Sequence, residues 1–173
     1  MSTQGAVSVS SSSGYSADDW LAQDHDIQTP IFLRVEPGAT MSAEPRWSIA
    51  WLVGGKEPSE EDMTAIRYVA ALETPDCLID LPESLRWACK GPMTRPLPDS
   101  SGAKLYTLAK MDRKARQEIV RLANTTFLTG TESSVSGGHG SRAWAMALLS
   151  AMVSANLLQE EAAQAFVQTS QRL

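Results

Sequence analysis

From residue 46 to residue 53 the chain alternates. Trp47, Ile49, Trp51 and Val53 fall on one side of an extended segment, and Ser48, Ala50 and Leu52 on the other. This is the period of a half-buried strand, and Gly54-Gly55 ends it. Ile31 to Val35, stopped by Pro37-Gly38, reads as a shorter strand. The two segments either pair as a hairpin across residues 36–45 or form an extended arm that joins a partner's sheet edge.

From Pro58 the period changes. Ser59 stands at an N-cap position, Glu60, Glu61 and Asp62 suit the positive end of a helix, and Met63, Ile66, Val69 and Ala70 give an apolar stripe at helical spacing. A further helix is predicted from Asp80 through Leu85, Trp87, Ala88 and Cys89, with Lys90-Gly91-Pro92 as its stop. Residues 91–104, with three prolines and two glycines, read as a long loop, and Leu105–Ala109 is open between strand and helix entrance. Asp112 to about Ala123 is helical, with Ile119 and Leu122 inward. Arg142 to Leu158, apolar nearly all round, is the central helix, and Glu160 to about Thr169 closes the chain.

Ser16-Ala17-Asp18-Asp19 has the form of a capped helix start, whereas residues 1–15 hold too few bulky side chains for a core and read as a Ser-rich arm, disordered or ordered by a partner. The expected fold is therefore mainly α. A helical bundle core spans about residues 58–173, and an extended N-terminal arm or hairpin segment, residues 16–57, carries one or two short β-strands. At 173 residues the chain suits one domain.

Charge alters this picture. Residues 1–85 carry 14 acids against 4 bases, and residues 86–173 carry 6 acids against 11 bases. So steep an asymmetry points to an acidic-to-basic contact between neighbouring copies or to a local anion-binding face. Cys77 and Cys89 show neither CxxC spacing nor a histidine at ligand distance and read as buried thiols of a reducing compartment. The N-terminus has no basic or apolar targeting pattern, and Ala143–Ala155 is too short to span a bilayer. A cytoplasmic protein without a membrane partner is expected.

Lys110, Arg113, Lys114, Arg116 and Arg121 place five of the 15 positive charges within twelve residues. Positions 110, 113, 114, 117 and 121 share a helical face suited to phosphates. A solvated surface helix with Asp112 and Glu118 as ion-pair partners is the more economical reading of the same residues. Ser136 to Arg142, including Gly138 and His139, is the best small-anion loop, against a plain connector with Ser141 as N-cap. Trp47, Trp51 and Phe32, flanked by Arg34 and Arg46, would stack bases if exposed, but their alternation is better explained by a core. Asp24-His25-Asp26 is poor metal coordination and reads as a polar turn. Only His25 and His139 are available as imidazole bases, and no serine or cysteine has an activating setting.

These features rank a self-assembling structural protein first, of the viral coat or nucleocapsid kind. Its partners would be further copies of the chain and single-stranded RNA, its phosphate ligands Lys110, Arg113, Lys114, Arg116, Arg121, Gly138 and Arg142, and its place the cytoplasm or a virion. No catalytic residue, metal or cofactor is expected. The alternative is a monomeric acidic adaptor or inhibitor that binds a basic protein, followed by a small enzyme built on the glycine loop and His139.

Overall fold

The computed structural model describes residues 23–41, 43–73, 87–89, 91–126 and 139–170. Among these residues seven strands lead, in chain order: β1 (Thr29–Glu36), β2 (Arg46–Val53), β3 (Ala65–Val69), β4 (Ala71–Glu73), β5 (Trp87–Cys89), β6 (Met93–Pro96) and β7 (Lys104–Met111). Three helices follow: α1 (Arg113–Thr125), α2 (His139–Ser154) and α3 (Glu160–Ser170). Five strands form one antiparallel sheet in the order β6-β3-β2-β1-β7, and β4 pairs β5 as a separate ribbon.

The helical-bundle expectation is thus overturned. The centre of the fold is the sheet, and the segment expected to be an arm supplies its middle strands. β2 runs over the residues its alternation marks, and β1 pairs with it as the hairpin, Ile31 facing Trp51 and Val35 facing Trp47. The error lies at residues 58–70. Ser59 does cap a helical turn, its hydroxyl accepting the Glu61 N–H at 3.3 Å, but that turn is a single 3-10 turn, Glu60–Asp62, and β3 follows. Ala65, Ile66, Tyr68 and Val69 are all buried, so both faces of β3 are covered. A strand buried on both faces gives a continuous apolar run that periodicity cannot separate from a helix. Trp87–Cys89 is likewise strand and not helix interior, and the expected loop of residues 91–104 contains β6. The expected helices at residues 16–21 and 80–86, and the arm of residues 1–15, lie outside the described residues.

One face of the sheet carries Ile31, Leu33, Val35, Trp47, Ile49, Trp51, Val53, Ala65 and Val69, all buried. α2 covers it with Trp144, Ala145, Leu148, Leu149 and Met152, each at most 2% exposed, as its all-round apolar sequence predicts. The Ser141 hydroxyl, expected as an N-cap, instead accepts the Trp47 N–H at 3.3 Å and pins the first turn of α2 to the start of β2. The Trp144 indole N–H donates to the Thr126 carbonyl at 3.0 Å, joining α2 to the end of α1.

The reverse face is held by a charged cluster. Arg34, 1% exposed, donates from Nε and Nη2 to Asp99 Oδ2 at 3.1 and 2.8 Å, from Nη1 to Glu36 Oε2 at 2.8 Å, and from Nη2 to Ser101 Oγ at 2.8 Å. Its guanidinium lies 4.8 Å from the Tyr68 ring centroid, and Arg95 Nε donates to the Tyr68 hydroxyl at 3.1 Å. The β6–β7 loop is thereby clamped to the middle of the sheet, and Ala50 and Ile66 are fully buried on this side.

Burial pushes the Asp99 carboxyl up, but hydrogen bonds from Ser101 and Arg34 together with the Arg34 charge outweigh it and hold Asp99 below its ordinary value. A depressed folded pKa adds stability above the unfolded aspartate value of about 3.9, and that stability is lost as pH falls through the folded value. Asp99→Asn should lower stability at neutral pH and flatten the loss of stability on acidification below about pH 4. Urea midpoints measured across that range for both proteins check this, and parallel curves would sink it.

Candidate functional site

The segment before β1 is fixed by the end of β2. The Gly54 N–H donates to the Gln23 carbonyl at 2.8 Å, and His25 Nε2 donates to the Gly55 carbonyl at 2.9 Å. Gly55 has φ 90°, and a Cβ there would lie 2.3 Å from the Asp62 carbonyl oxygen, so glycine is needed on both counts. This docking delivers Asp24 to the start of α1.

There Arg116 is 1% exposed. Its Nε and Nη2 donate to Asp24 Oδ1 at 3.0 and 2.6 Å, Nη1 to the Ile27 and Met111 carbonyls at 2.8 and 2.7 Å, and Nη2 also to the His25 carbonyl at 2.6 Å. All the donors of an arginine are used. The second Asp24 oxygen accepts the Trp51 indole N–H at 3.3 Å and lies 3.9 Å from Arg67 Nη1. Beside this pair is a cleft of about 210 Å³ lined by Asp24, Trp51, Arg67, Pro92, Arg113, Arg116, Gln117 and Val120. Burial pulls the Arg67 guanidinium below its ordinary pKa, with Asp24 opposing the shift and the Arg116 charge reinforcing it.

The basic cluster predicted from sequence is therefore dispersed. Lys110 belongs to β7, not to the helix, and its ammonium meets Glu60 at 2.7 Å. Arg116 is structural. Arg121 forks onto Glu118 at 2.6 to 3.0 Å on the helix surface. Arg142 lies 5.3 Å from the Trp47 ring centroid, and Gly138 lies outside the described residues. Arg113 and Lys114 remain exposed, with no ion pair among the described residues. Only Arg113 and Arg116 of these residues share the cleft, joined by Asp24, Trp51 and Arg67, none of which the sequence pattern groups with the basic cluster. Trp47 and Trp51 are core residues as expected, so no exposed stacking platform exists at these two positions.

A second feature has no counterpart in the sequence pattern. Among the described residues β7 forms one edge of the sheet, and none of its residues makes a backbone hydrogen bond to another described residue on the outer side. Its register slips against β1, where Ile31 faces Ala109 and Phe32 faces Thr107, so that Leu108 bulges. Leu108 and Ala109 floor a groove of about 780 Å³ whose wall is Val153, Leu157 and Leu158 and whose rim is Gln159, Glu160 and Glu161 at the start of α3. Neither glutamate forms an ion pair among the described residues.

Among the described residues no cluster of His, Cys, Asp and Glu could hold a metal, and no helix is long and apolar enough to cross a membrane. The Asp24-His25-Asp26 turn is occupied by the contacts to Arg116, Trp51 and Gly55. Burial pushes the half-exposed Cys89 thiol up, against hydrogen bonds with the Gly91 and Ala70 backbone, which disfavours the nucleophilic thiolate. Cys77 and the His139 side chain lie outside the described residues. No family model, curated protein or solved structure matches this chain.

Removing one partner of a buried ion pair strands the other charge, at a cost of about 3–5 kcal/mol. Arg116→Ala should therefore lower unfolding stability by about that amount, whereas Arg121→Ala, at the exposed Glu118 pair, should leave the chemical denaturation midpoint unchanged within error. Equal midpoints for the two variants would remove Arg116 from its structural role.

Proposed function

We propose that the protein is a non-catalytic binding module that takes an extended segment of another protein as a sixth strand along β7. The observation that carries this reading is an eight-residue edge strand, with no outer hydrogen-bond partner among the described residues, running beside a 780 Å³ groove. An added strand gains main-chain hydrogen bonds along the edge, and its alternate side chains point to the helix-covered side of the sheet, into the groove. The floor and wall, Leu108, Val153, Leu157 and Leu158, suit an apolar side chain, and Glu160 and Glu161 suit a neighbouring Lys or Arg. The partner segment is therefore extended, apolar and basic by turns. This agrees with an adaptor that binds a basic partner.

A second copy fits less well. Pairing β7 with β7 about a two-fold axis gathers Lys104 and Lys110 of both chains along one seam. The reading of an RNA-coating stripe is left with Arg113 and Lys114 as its exposed cations, because Arg116, Arg121 and Lys110 already hold carboxylates.

Peptides selected from a random display library on the intact protein test the reading. Enriched sequences should alternate apolar and basic residues and should slow hydrogen exchange at alternate amides of residues 104–111. Glu161→Lys should weaken their binding about tenfold, the equivalent of about 1.4 kcal/mol. Binders that protect another surface would overturn the proposal, as would a dimer whose β7 amides are protected before any peptide is added.

A further inference from the structure

A furrow between α2 and α3 adjoins the β7 groove. On α2 it is lined by Met146, Leu149, Ser150, Val153 and Ser154, which follow the i, i+3, i+4, i+7, i+8 spacing of one helix face, and on α3 by Glu160, Ala163 and Gln164. Its volume is about 400 Å³, and the seven-residue step from Met146 to Val153 makes it about 10 Å long. Val153 and Glu160 line the β7 groove as well, so the two hollows meet at a shared boundary. The floor is apolar, because Met146, Leu149, Val153 and Ala163 belong to or pack against the core on the helix-covered side of the sheet. The rim is polar but engaged along its own helices. The Ser154 hydroxyl donates to the Ser150 carbonyl at 3.0 Å, and the Gln164 amide donates to Glu160 Oε1 at 3.0 Å. A hollow of this kind favours an apolar side chain over a polar one.

We infer that the segment added along β7 carries a second apolar anchor, lodged in this furrow, and a Lys or Arg between its two anchors at the Glu160 rim. The inference rests on the strand-addition reading and narrows its ligand to one class of peptide. Continuity supports it, since a chain leaving the β7 groove past Val153 and Glu160 enters the furrow directly. Charge supports it too. Glu160 stands on the boundary with Glu161 beside it, neither forms an ion pair among the described residues, and a cation crossing there meets two carboxylates. Met146 suits the floor of such a site, because an unbranched thioether adapts to the shape of the side chain that packs on it. Main-chain pairing along an edge does not by itself distinguish one register from the next, whereas two anchors at a fixed separation do. Once the strand is seated, the second anchor binds at the effective concentration set by its short link, and it adds affinity without a second encounter.

The test takes a peptide selected on the intact protein that slows hydrogen exchange at residues 104–111, labels it with a fluorophore, and measures its affinity by anisotropy. Its sequence should hold a basic residue between two apolar ones, and each apolar residue is replaced by serine in turn. One replacement should weaken binding about tenfold, abolish the shift that the parent peptide causes in the Met146 methyl NMR signal, and keep the protection of residues 104–111 at saturation. Ser150→Trp, which fills the furrow from its exposed rim, should weaken the parent peptide about tenfold and the replaced peptide not at all, since both changes remove the same contact. Gln164→Trp, on the opposite wall, should act in the same way. Peptides that protect residues 104–111 but hold no second apolar residue, leave the Met146 methyl signal unmoved, or lose affinity additively with both tryptophan variants would overturn the inference and leave strand addition in place. Peptides that bind without protecting residues 104–111 would overturn strand addition and this inference with it.

Discussion

The guanidinium of Arg116 is the point on which three parts of the chain depend: the segment before β1, the end of β7 and α1 itself. It holds the carbonyls of His25 and Ile27 before β1, the carbonyl of Met111 at the end of β7, and the carboxylate of Asp24. A buried cation is tolerated only where every donor has a partner and an opposite charge is close. That requirement fixes the direction in which α1 leaves β7, because Asp112 must cap the helix, its carboxylate accepting the Ala115 N–H at 2.8 Å, while Arg116 one turn on turns inward. It also fixes the segment before β1, since Asp24 reaches the site only with Gln23 and His25 docked on Gly54 and Gly55.

The sheet meets a comparable demand on its other side. An antiparallel sheet commonly leaves one face to water, but here Arg34 and Ser48 are buried in the reverse face beside Ala50 and Ile66. Arg34 is held by Asp99, Glu36, Ser101 and the Tyr68 ring, so a charged side chain acts as the filler that an aliphatic one would be elsewhere. Two arginines, one on each side of the sheet, thus convert loops into fixed parts of the fold. Among the described residues the edge at β7 is left open beside them, and the bulge at Leu108 and the exposed Lys104 and Lys110 are features that discourage unselective pairing at such an edge.

What was legible in the sequence follows from how local each constraint is. β2 is marked by its own alternation, α1 by the Asp112 cap and the inward Ile119, and the central place of α2 by its all-round apolar surface. β3 is illegible because Ile66 and Tyr68 are buried on one face while Ala65 and Val69 are buried on the other, which erases the period-two signal. That one misreading removed Arg67 from the site, since a residue on a supposed helix has no reason to meet α1. Arg113 and Arg116 were legible as basic residues but not in their roles. The carboxylate that draws Arg116 inward stands 92 positions away, and the neighbours that suit Arg121 for the surface are in its own helix.

The division of charge along the chain has the same explanation. Asp24 meets Arg116, Glu36 meets Arg95, and Glu60 meets Lys110, each pair joining an acid of the first half to a base of the second. Arg34, one of the few bases of the first half, crosses in the other direction to Asp99. Attraction between halves of one chain acts at a far higher effective concentration than attraction between copies, so complementary halves close on each other before they bridge molecules. An asymmetry of this kind is therefore weak evidence for head-to-tail assembly. Among the described residues, Glu160 and Glu161 on the rim of the groove are acids that no internal ion pair consumes.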